Sequence, residues 1–371
     1  MIIKCKKESL INGLNIVSKA VSNKTTMPIL QCVLVEAAAG KIRLTGNNTE
    51  LGIETYIEGT VIEEGTSAIE AKLFMDIVKK LPDDVVTVDT SDNIRAIITC
   101  QKTKYTIAYK SGNDFTGIPI VSTDRCITLS QFTLREVIRQ TIFSISDNEN
   151  NPIMTGEYFE VKGNMLTVVS IDGKRISVRN VELADSAGDV AAIIPGKSLN
   201  ELIKIINGGV DDKVSIYFEN NNILFEFGET KVVSRLIEGD YYKISKFMSL
   251  DHKMIVSVDK KELISAIDRT TLLIQETDKK PIIVSVKDDD NMYLRVDTNM
   301  GSFNENIPVS KEGGEIIIGF NPRFLLDALR VIDDDKVKIY MSDSKNPCLI
   351  KDDMGSFTYV ILPININTEV Y

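Results

Sequence analysis

Clustered aspartates are the residues of this chain whose type and spacing could support chemistry, because grouped carboxylates bind divalent cations and position water for hydrolysis. Each cluster lies between segments typical of helix or strand, where aspartate is a common turn residue. The sequence therefore favours solvated turns, with a metal-dependent hydrolase as a distant alternative. The clusters are Asp83-Asp84, Asp211-Asp212, Asp288-Asp289-Asp290 and Asp333-Asp334-Asp335, and Asp172-Gly173 is a similar site.

No other group of catalytic residues stands out. The sequence contains no GxSxG, Walker loop, HExxH or Rossmann glycine run. Gly208-Gly209 is interpreted as a helix cap, and His252, in a polar connector, as a solvated loop residue. The cysteines form no CxxC pair, which predicts free, mostly buried thiols. They are Cys5, Cys32, Cys100, Cys126 and Cys348. We therefore expect no catalytic residue, no metal and no cofactor.

The chain carries no sign of export or membrane insertion. No apolar stretch reaches the roughly 18 residues that a spanning helix needs, and the segment Met1–Lys7 lacks a signal-peptide core. We therefore expect a cytoplasmic protein with no membrane partner. The net charge of −10 argues against nucleic acid, unless the charge is unevenly distributed.

One pattern occurs three times along the chain, with a period of about 125 residues. Each repeat begins with a window of apolar residues at helical spacing, and a proline expected to open an apolar strand follows it. These windows are Lys7–Lys24, Ser130–Ser146 and Lys260–Gln275, and the prolines are Pro28, Pro152 and Pro281. A second helical window precedes each acidic turn. These are Ala71–Leu81, Gly196–Gly208 and Asn321–Ile332.

Between the helical windows, apolar and polar residues alternate, as in Lys104–Tyr109 and Met292–Val296. Alternation between turn residues is typical of half-buried strands. Few helices and many strands predict an α+β fold with antiparallel sheets. We place three repeated domains at residues 1–122, 123–249 and 250–371.

Charge is distributed unevenly between helices and strands. The helical windows hold about twice as many basic as acidic residues, although the whole chain has 43 Lys and Arg against 53 Asp and Glu. Basic helices on an acidic body indicate a surface that faces phosphates. Helix propensity and solubility could also account for the lysines. The excess recurs in every repeat and no base-reading motif is present, which favours phosphate contact without sequence preference.

Several motifs, in this order and spacing, resemble the beta subunit of bacterial DNA polymerase III over residues 1–366. They are Met27-Pro28-Ile29-Leu30, Leu44-Thr45-Gly46, Ile171-Asp172-Gly173-Lys174-Arg175 and Tyr359-Val360-Ile361-Leu362-Pro363-Ile364. The resemblance implies a DNA sliding clamp, an accessory processivity factor and not an enzyme. It also implies a head-to-tail homodimer, a ring of domains with helices lining the hole and sheets outside.

The resemblance further implies a hydrophobic pocket between the second and third domains. The replicative polymerase, the clamp loader and other proteins would dock short peptides there, with Lys174 and Arg175 taking the polar end of the peptide. Without the family, residues 361–364 would be interpreted as an ordinary edge strand. The matching positions are Met154, Ile171, Gly173, Lys174, Arg175, Ile176, Tyr242, Lys246, Phe247, Pro347, Val360, Ile361, Leu362, Pro363 and Ile364.

Two positions depart from the family pattern. Tyr242 stands where proline is usual, and Asn365 stands where a basic residue is common; the tail 367–371 extends past the usual end. The shape of the pocket and its peptide preference are therefore expected to differ.

Two further surfaces are expected, one that faces DNA and one that joins the two subunits. The residues expected to face DNA are Lys24, Lys72, Lys79, Lys80, Arg135, Arg139, Lys197, Lys204, Arg269 and Arg323. The dimer seam that the resemblance implies contains Lys104, Tyr105 and Ile107 on an edge strand, and Leu272 and Leu273 at a helix end. The main alternative is a repeat-built, β-rich scaffold that binds only proteins, which would have no need of basic helices.

Overall fold

The computed structural model describes residues 1–22, 25–92, 94–184, 188–248, 251–274 and 280–366. The α-helices in these ranges are α1 (Lys7–Val17), α2 (Ala71–Lys80), α3 (Gln131–Thr141), α4 (Gly196–Leu202), α5 (Ser245–Met248), α6 (Lys260–Thr271) and α7 (Pro322–Val331). Both helical windows of each repeat therefore form helices, although α4 is shorter than expected.

The strands of the first repeat are β1 (Ile2–Lys6), β2 (Cys32–Ala38), β3 (Lys41–Asn47), β4 (Leu51–Ile57), β5 (Thr60–Glu63), β6 (Gly65–Glu70), β7 (Val85–Asp89), β8 (Arg95–Cys100), β9 (Thr103–Ala108) and β10 (Lys110–Ser111). Those of the second are β11 (Cys126–Ser130), β12 (Gly156–Lys162), β13 (Met165–Ile171), β14 (Arg175–Glu182), β15 (Val190–Pro195), β16 (Lys213–Phe218), β17 (Asn222–Phe227) and β18 (Thr230–Arg235). Those of the third are β19 (Met254–Asp259), β20 (Ile282–Val286), β21 (Asn291–Thr298), β22 (Gly301–Glu312), β23 (Ile316–Phe320), β24 (Lys336–Met341), β25 (Cys348–Lys351) and β26 (Phe357–Ile361).

Met1–Arg135 and Leu183–Ile237 form one compact unit. It contains one sheet in the order β5-β1-β7-β8-β9 and another in the order β10-β6-β2-β3-β4-β18-β17-β16-β11. The pairing of β4 with β18, which we call the first junction, joins strands of the first and second repeats in antiparallel register.

Glu136–Glu182 and Glu238–Tyr371 form the other compact unit. Its strands follow the order β12-β13-β14-β26-β25-β24-β19-β22-β21-β20-β23. The pairing of β14 with β26, which we call the second junction, joins the second repeat to the third. The fold is therefore α+β with antiparallel sheets, as predicted.

Helix α2 illustrates how the sequence specifies these elements. Its apolar residues recur every three or four positions, and that face, including Phe74 and Val78, is buried. The side chain of Glu70 caps the start by accepting hydrogen bonds from the N–H groups of Lys72 and Leu73. The helix ends before Leu81, which precedes a proline and adopts an extended backbone conformation.

Each repeat connects the start of its first helix to the acidic turn after its second helix. The N–H of the first helical residue donates to the carbonyl of the last aspartate in the turn, which satisfies a group that helix geometry leaves unpaired. The pairs are Lys7 with Asp84 (3.1 Å), Gln131 with Asp212 (2.8 Å) and Lys260 with Asp335 (2.8 Å). The aspartates therefore occupy structured turns.

Side chains reinforce the same connection. The ammonium groups of Lys7 and Lys260 donate to the carbonyls of Leu81 (2.5 Å) and Ile332 (2.7 Å), at the ends of α2 and α7. In the second repeat, the side-chain oxygen of Gln131 accepts from the N–H of Gly208 at 3.0 Å. Lys7 and Lys260 therefore stabilise the repeat and are not available to phosphates.

Three expectations about turns were wrong. Pro28 and Pro152 do not open strands directly, because each begins a short 3₁₀ helix before the strand starts at Cys32 or Gly156. Proline suits the first position of a helix, where a missing N–H costs nothing. Gly208 does not cap α4, which ends at Leu202. A Cβ at Gly208 would lie 2.6 Å from the side chain of Gln131, so close approach explains this glycine.

The histidine also differs from its prediction, whereas the cysteines agree. The His252 ring is half-buried, its centroid 5.2 Å from that of Tyr340, and burial lowers its pKa. The cysteines are free thiols, and all except the half-buried Cys126 are buried, as predicted. Burial raises the pKa of Cys5 to about 12, which leaves this thiol protonated at neutral pH.

Glu157 is a fully buried carboxyl group in the second unit. Its Oε1 lies 2.7 Å from the hydroxyl of Thr141 and 3.0 Å from that of Ser170, and its Oε2 has no hydrogen-bond partner among the described residues. Burial raises the pKa of Glu157 to about 8. The carboxyl group is therefore mostly neutral in the folded protein at pH 7.

We expect Glu157→Gln to flatten the dependence of stability on pH. The carboxyl group of the unfolded chain ionises near its model value of 4.5, whereas the folded protein keeps the proton up to about pH 8. Unfolding therefore releases a proton in this window, and the free energy of unfolding falls as pH rises through it. Urea melts at several pH values check this, with the exposed Glu182→Gln as control. A constant difference between wild type and Glu157→Gln would contradict it.

Candidate functional site

The second junction carries an apolar cluster that includes Ile171, Ile176 and Val360 of the expected pocket. Cross-strand pairing places Ile176 opposite both Ile171 and Val360, and Leu349 opposite Val360. Strand pairing thus brings two hairpins that are distant in sequence onto one face. The buried members of the cluster are Val169, Ile171, Ile176, Val178, Leu349 and Val360.

We call these six buried residues the floor; several apolar side chains close to its members or to its packing partners in sequence are more exposed. Tyr242, Phe247 and Leu362 are 41%, 37% and 40% exposed. Large apolar side chains left exposed near a buried apolar floor are typical of surfaces that bind another protein. The partly buried side chains packed against the floor are Met154, Tyr158, Tyr241, Ile244, Met248 and Tyr340.

Three tyrosines form an aromatic wall beside the floor. Tyr158 and Tyr241 are stacked with centroids 4.8 Å apart, and Tyr242 meets Tyr241 edge-on at 6.1 Å. The hydroxyl of Tyr241 donates to the carbonyl of Val169 (3.2 Å), and that of Tyr242 accepts from the side chain of Asn151 (2.8 Å). Burial raises the pKa of Tyr158 to about 12, so its hydroxyl stays protonated. Tyr242 thus extends the wall where proline was expected.

Arg175 is held within the protein. Its guanidinium donates to Asp172 at 2.8 Å and to Asp327 at 2.6 Å, and it lies 4.2 Å from the centroid of the Phe324 ring. The side chain is only 11% exposed. Because its charge is already paired, Arg175 braces α7 against the floor and is less suited than the exposed Lys174 to take the polar end of a peptide.

The loop between β13 and β14 is an aspartate turn. Oδ1 of Asp172 accepts from the N–H groups of Lys174 (2.9 Å) and Arg175 (3.0 Å). Gly173 has a φ of 86°, a conformation that favours glycine. The carbonyl of Lys174 accepts from the N–H of Leu362 at 2.9 Å, which fixes the C-terminal segment beside this loop.

The other predicted pocket residues are dispersed. Ile361 is buried in the core of the third repeat, and β26 lies inside its sheet, so residues 361–364 are not an edge strand. The N–H of Ile364 donates to the carbonyl of Gly319 at 2.8 Å. Pro347 and Pro363 are half-buried, whereas Lys246 and Asn365 are exposed. The tail 367–371 lies outside the described residues.

Sequence reasoning missed several members of the site, among them Val169, Leu349, Tyr158 and Tyr241. The alternation of β13 could have revealed Val169, since it stands two residues before Ile171 and shares its face. The stacking partners Tyr158 and Tyr241 are far apart in sequence and gave no comparable signal.

Several of the basic residues expected to face DNA are exposed. Lys72, Lys79 and Lys80 on α2 are exposed, with no ion pair among the described residues. Lys197 and Arg323 are also exposed, at the starts of α4 and α7, whereas Lys24 lies outside the described residues.

Three others are paired with protein carboxylates. Arg139 contacts Glu136 at 2.5 Å, Lys204 contacts Glu201 at 2.7 Å, and Arg269 contacts Glu305. Arg135 is half-buried, and its guanidinium lies 5.7 Å from the centroid of the Phe132 ring. The free positive charge of the helices is therefore smaller than the sequence count suggests.

The residues of the expected seam lie on an edge strand and at a helix end. Strand β9 is the edge of its sheet, with Tyr105 and Ile107 half-buried and Lys104 exposed. Leu272, directly after α6, is 78% exposed. Leu273 is half-buried and packs against the core of the third repeat.

The described residues contain no group of three or more His, Cys, Asp and Glu side chains that could hold a metal ion. None of the described helices combines the length and the apolar content needed to cross a membrane.

Family models match the chain in three consecutive pieces. The N-terminal domain of the DNA polymerase III beta subunit matches residues 1–119, the central domain residues 128–243 and the C-terminal domain residues 247–365. The matches follow the three repeats in order and leave little of the chain uncovered.

Individual proteins are similar over the same length. The Beta sliding clamp of Staphylococcus aureus is 33% identical over 371 residues, which cover 97% of this chain and 98% of that protein. A solved Eubacterium rectale structure ascribed to a DNA polymerase III beta subunit is 53% identical, with a TM-score of 0.96, over 99% of this chain and 100% of that one. The DNA polymerase sliding clamp of Bacillus subtilis is 28% identical, with a TM-score of 0.96 and the same coverage.

Proposed function

Because this chain belongs to the DNA polymerase III beta subunit family and is a DNA sliding clamp, we propose that two copies close into a ring around duplex DNA. The ring tethers the replicative polymerase, the clamp loader and other proteins through the pocket at the second junction. The family is an accessory subunit of the polymerase and is not itself catalytic. We place this activity in the cytoplasm.

Domains at residues 1–122, 123–249 and 250–371 suit this proposal. The first boundary falls in the segment between β10 and β11. The second, between Ser249 and Leu250, lies outside the described residues. Each domain then contains one copy of the helix-to-turn connection between its first helix and its acidic turn.

The two strand junctions within the chain are the main observation that supports a closed ring. Strands β4 and β14 occupy equivalent places in the first two repeats and pair with β18 and β26, the last strands of the second and third repeats. In the third repeat the equivalent of β4 and β14 is β22, and in the first repeat the equivalent of β18 and β26 is β9. Residues 301–308 of β22 pair only with β21, and β9 only with β8, among the described residues.

We infer that β9 of one copy pairs with residues 301–308 of the other. In the register of the two internal junctions, Thr106 would face Gly301 and Lys104 would face Phe303. Two identical seams of this kind close a head-to-tail dimer, and each removes an open sheet edge. Tyr105, Ile107 and Leu272 would supply the apolar contacts.

The exposed lysines of α2 support contact with DNA phosphates. Lys72, Lys79 and Lys80 form a basic surface on a chain whose net charge is −10, so attraction is confined to part of the molecule. Contacts of this kind depend on salt and do not read bases. The sequence preference of the clamp for DNA should therefore be negligible.

We expect the closed dimer to stay on circular DNA and to leave once the circle is cut. Topological linkage needs no tight site, so binding to a short linear duplex at equilibrium should be weak and salt-sensitive. Loading by a clamp loader, gel filtration and linearisation by a restriction enzyme measure this directly. A protein-binding scaffold would be retained on neither form of DNA. A footprint at one preferred DNA sequence would contradict the proposal.

A further inference from the structure

The first junction carries a groove built like the pocket at the second junction. In the second, Ile176 pairs with both Ile171 and Val360, and Val360 also pairs with Leu349. The same ladder at the first junction consists of Asn47, Gly52, Val233 and Leu224 in place of Ile171, Ile176, Val360 and Leu349. Four floor positions therefore correspond one to one.

The chain itself covers the groove of the first junction. Ile118 and Val121 pack with Leu224 and Val233, and Val121 is only 7% exposed. We call residues 115–122, which contain both, the first connector. At the second junction, by contrast, Tyr242 and Leu362 keep about two fifths of their surface exposed near the floor.

Two residues of the first junction fit the connector and are replaced by larger apolar residues at the second. A Cβ at Gly52 would lie 2.8 Å from Cγ1 of Ile118, so the absence of a side chain makes room for Ile118. The buried amide of Asn47 donates to the carbonyls of Thr116 (2.9 Å) and Gly117 (3.1 Å). Ile176 and Ile171 occupy these positions at the second junction, where they fill the space and offer no donor.

We propose that the first connector is a built-in occupant that closes a second peptide groove, so that each chain offers one pocket instead of two. The inference rests on the proposed peptide role of the second junction. The opened groove would take the same class of ligand, a short linear peptide with apolar anchors, because Leu224, Val233 and Tyr217 remain as its floor. The connector, with Ile118 and Val121 on either side of Pro119, is itself a segment of this class.

The test is to release the connector and count bound peptides. Gly52→Ala presses a methyl group against Ile118, and its backbone has no positive φ, so alanine fits the strand. Asn47→Ala removes the amide donors. Isothermal titration with the C-terminal peptide of a bacterial replicative polymerase should give one peptide per chain for wild type and two for the double variant. Adding Leu362→Asp to the double variant should return the count to one.

Hydrogen exchange of the connector reports its release independently. Faster exchange with an unchanged count of one would overturn the proposal, as would unchanged exchange in the double variant. Ile120→Ser, at a 96% exposed position of the same connector, is the control and should leave one site. If the double variant does not fold, Ile118→Ser takes its place in the titration. If the wild-type protein binds no peptide, the proposed pocket at the second junction is contradicted. The groove at the first junction is then tested by whether the double variant binds one peptide per chain where wild type binds none.

Discussion

Leu362→Asp is expected to weaken binding of a polymerase C-terminal peptide by roughly 30- to 1000-fold, because the loss of one anchor contact costs about 2–4 kcal/mol. Leu362 is 40% exposed, and its N–H is bonded to Lys174 beside the apolar floor. A carboxylate there replaces apolar contact with a charge that the peptide must desolvate. Because the side chain lies outside the core, the fold and the dimer should be retained. Fluorescence anisotropy of a labelled peptide measures the change in affinity.

Met354→Asp is the matched control. Met354 belongs to the same compact unit, is 87% exposed and lies in the turn before β26, so it should leave peptide affinity unchanged. Combining Leu362→Asp with Met154→Ser removes a second side chain that packs on the floor. Equal peptide affinity of wild type and this double variant would place the docking site elsewhere.

Leu272→Ala is expected to raise the dissociation constant of the dimer by roughly 30-fold or more, because truncation of a central interface leucine costs about 2 kcal/mol or more. Leu272 is 78% exposed in a single chain, so the change should leave the stability of the chain nearly unaltered. Adding Leu273→Ala should give monomers at nanomolar concentration. Leu273 also packs against the core of the third repeat, so the double change should lower the melting temperature as well.

Sedimentation velocity with a fluorescent label distinguishes these outcomes at nanomolar concentration. Val210→Ala, which removes another exposed apolar side chain outside the seam, should sediment like wild type. A Leu272→Ala and Leu273→Ala variant that keeps its dimer under these conditions would show that the seam lies elsewhere.

The architecture could be predicted because its signals are periodic. Apolar spacing in Ala71–Leu81 and alternation in Lys104–Tyr109 depend on local geometry alone, and both segments form the expected helix and strand. The shortened α4 and the 3₁₀ helices at Pro28 and Pro152 were not predicted, because hydrogen bonds at element ends depend on contacts with distant residues.

The details of the site could not be predicted in the same way. The bonds of Arg175 to Asp327 and of Arg139 to Asp333 connect residues more than 150 positions apart. A sequence gives the charge of each residue but not its partner, so the free basic surface was overestimated. The stacking of Tyr158 on Tyr241, which shapes the wall, has the same origin.

The first junction has a consequence for how the chain is made on the ribosome. Thr55 of β4 bonds across the junction to Thr230 of β18, 175 residues further along. At about 5–20 residues per second, the ribosome needs roughly 9 to 35 s to supply that partner. During this interval the nascent first domain can complete its own helix-to-turn connection, but the edge of β4 that β18 later covers stays open. Translation speed and chaperone access over residues 58–230 should therefore govern the yield of folded protein more strongly than over the last third of the chain.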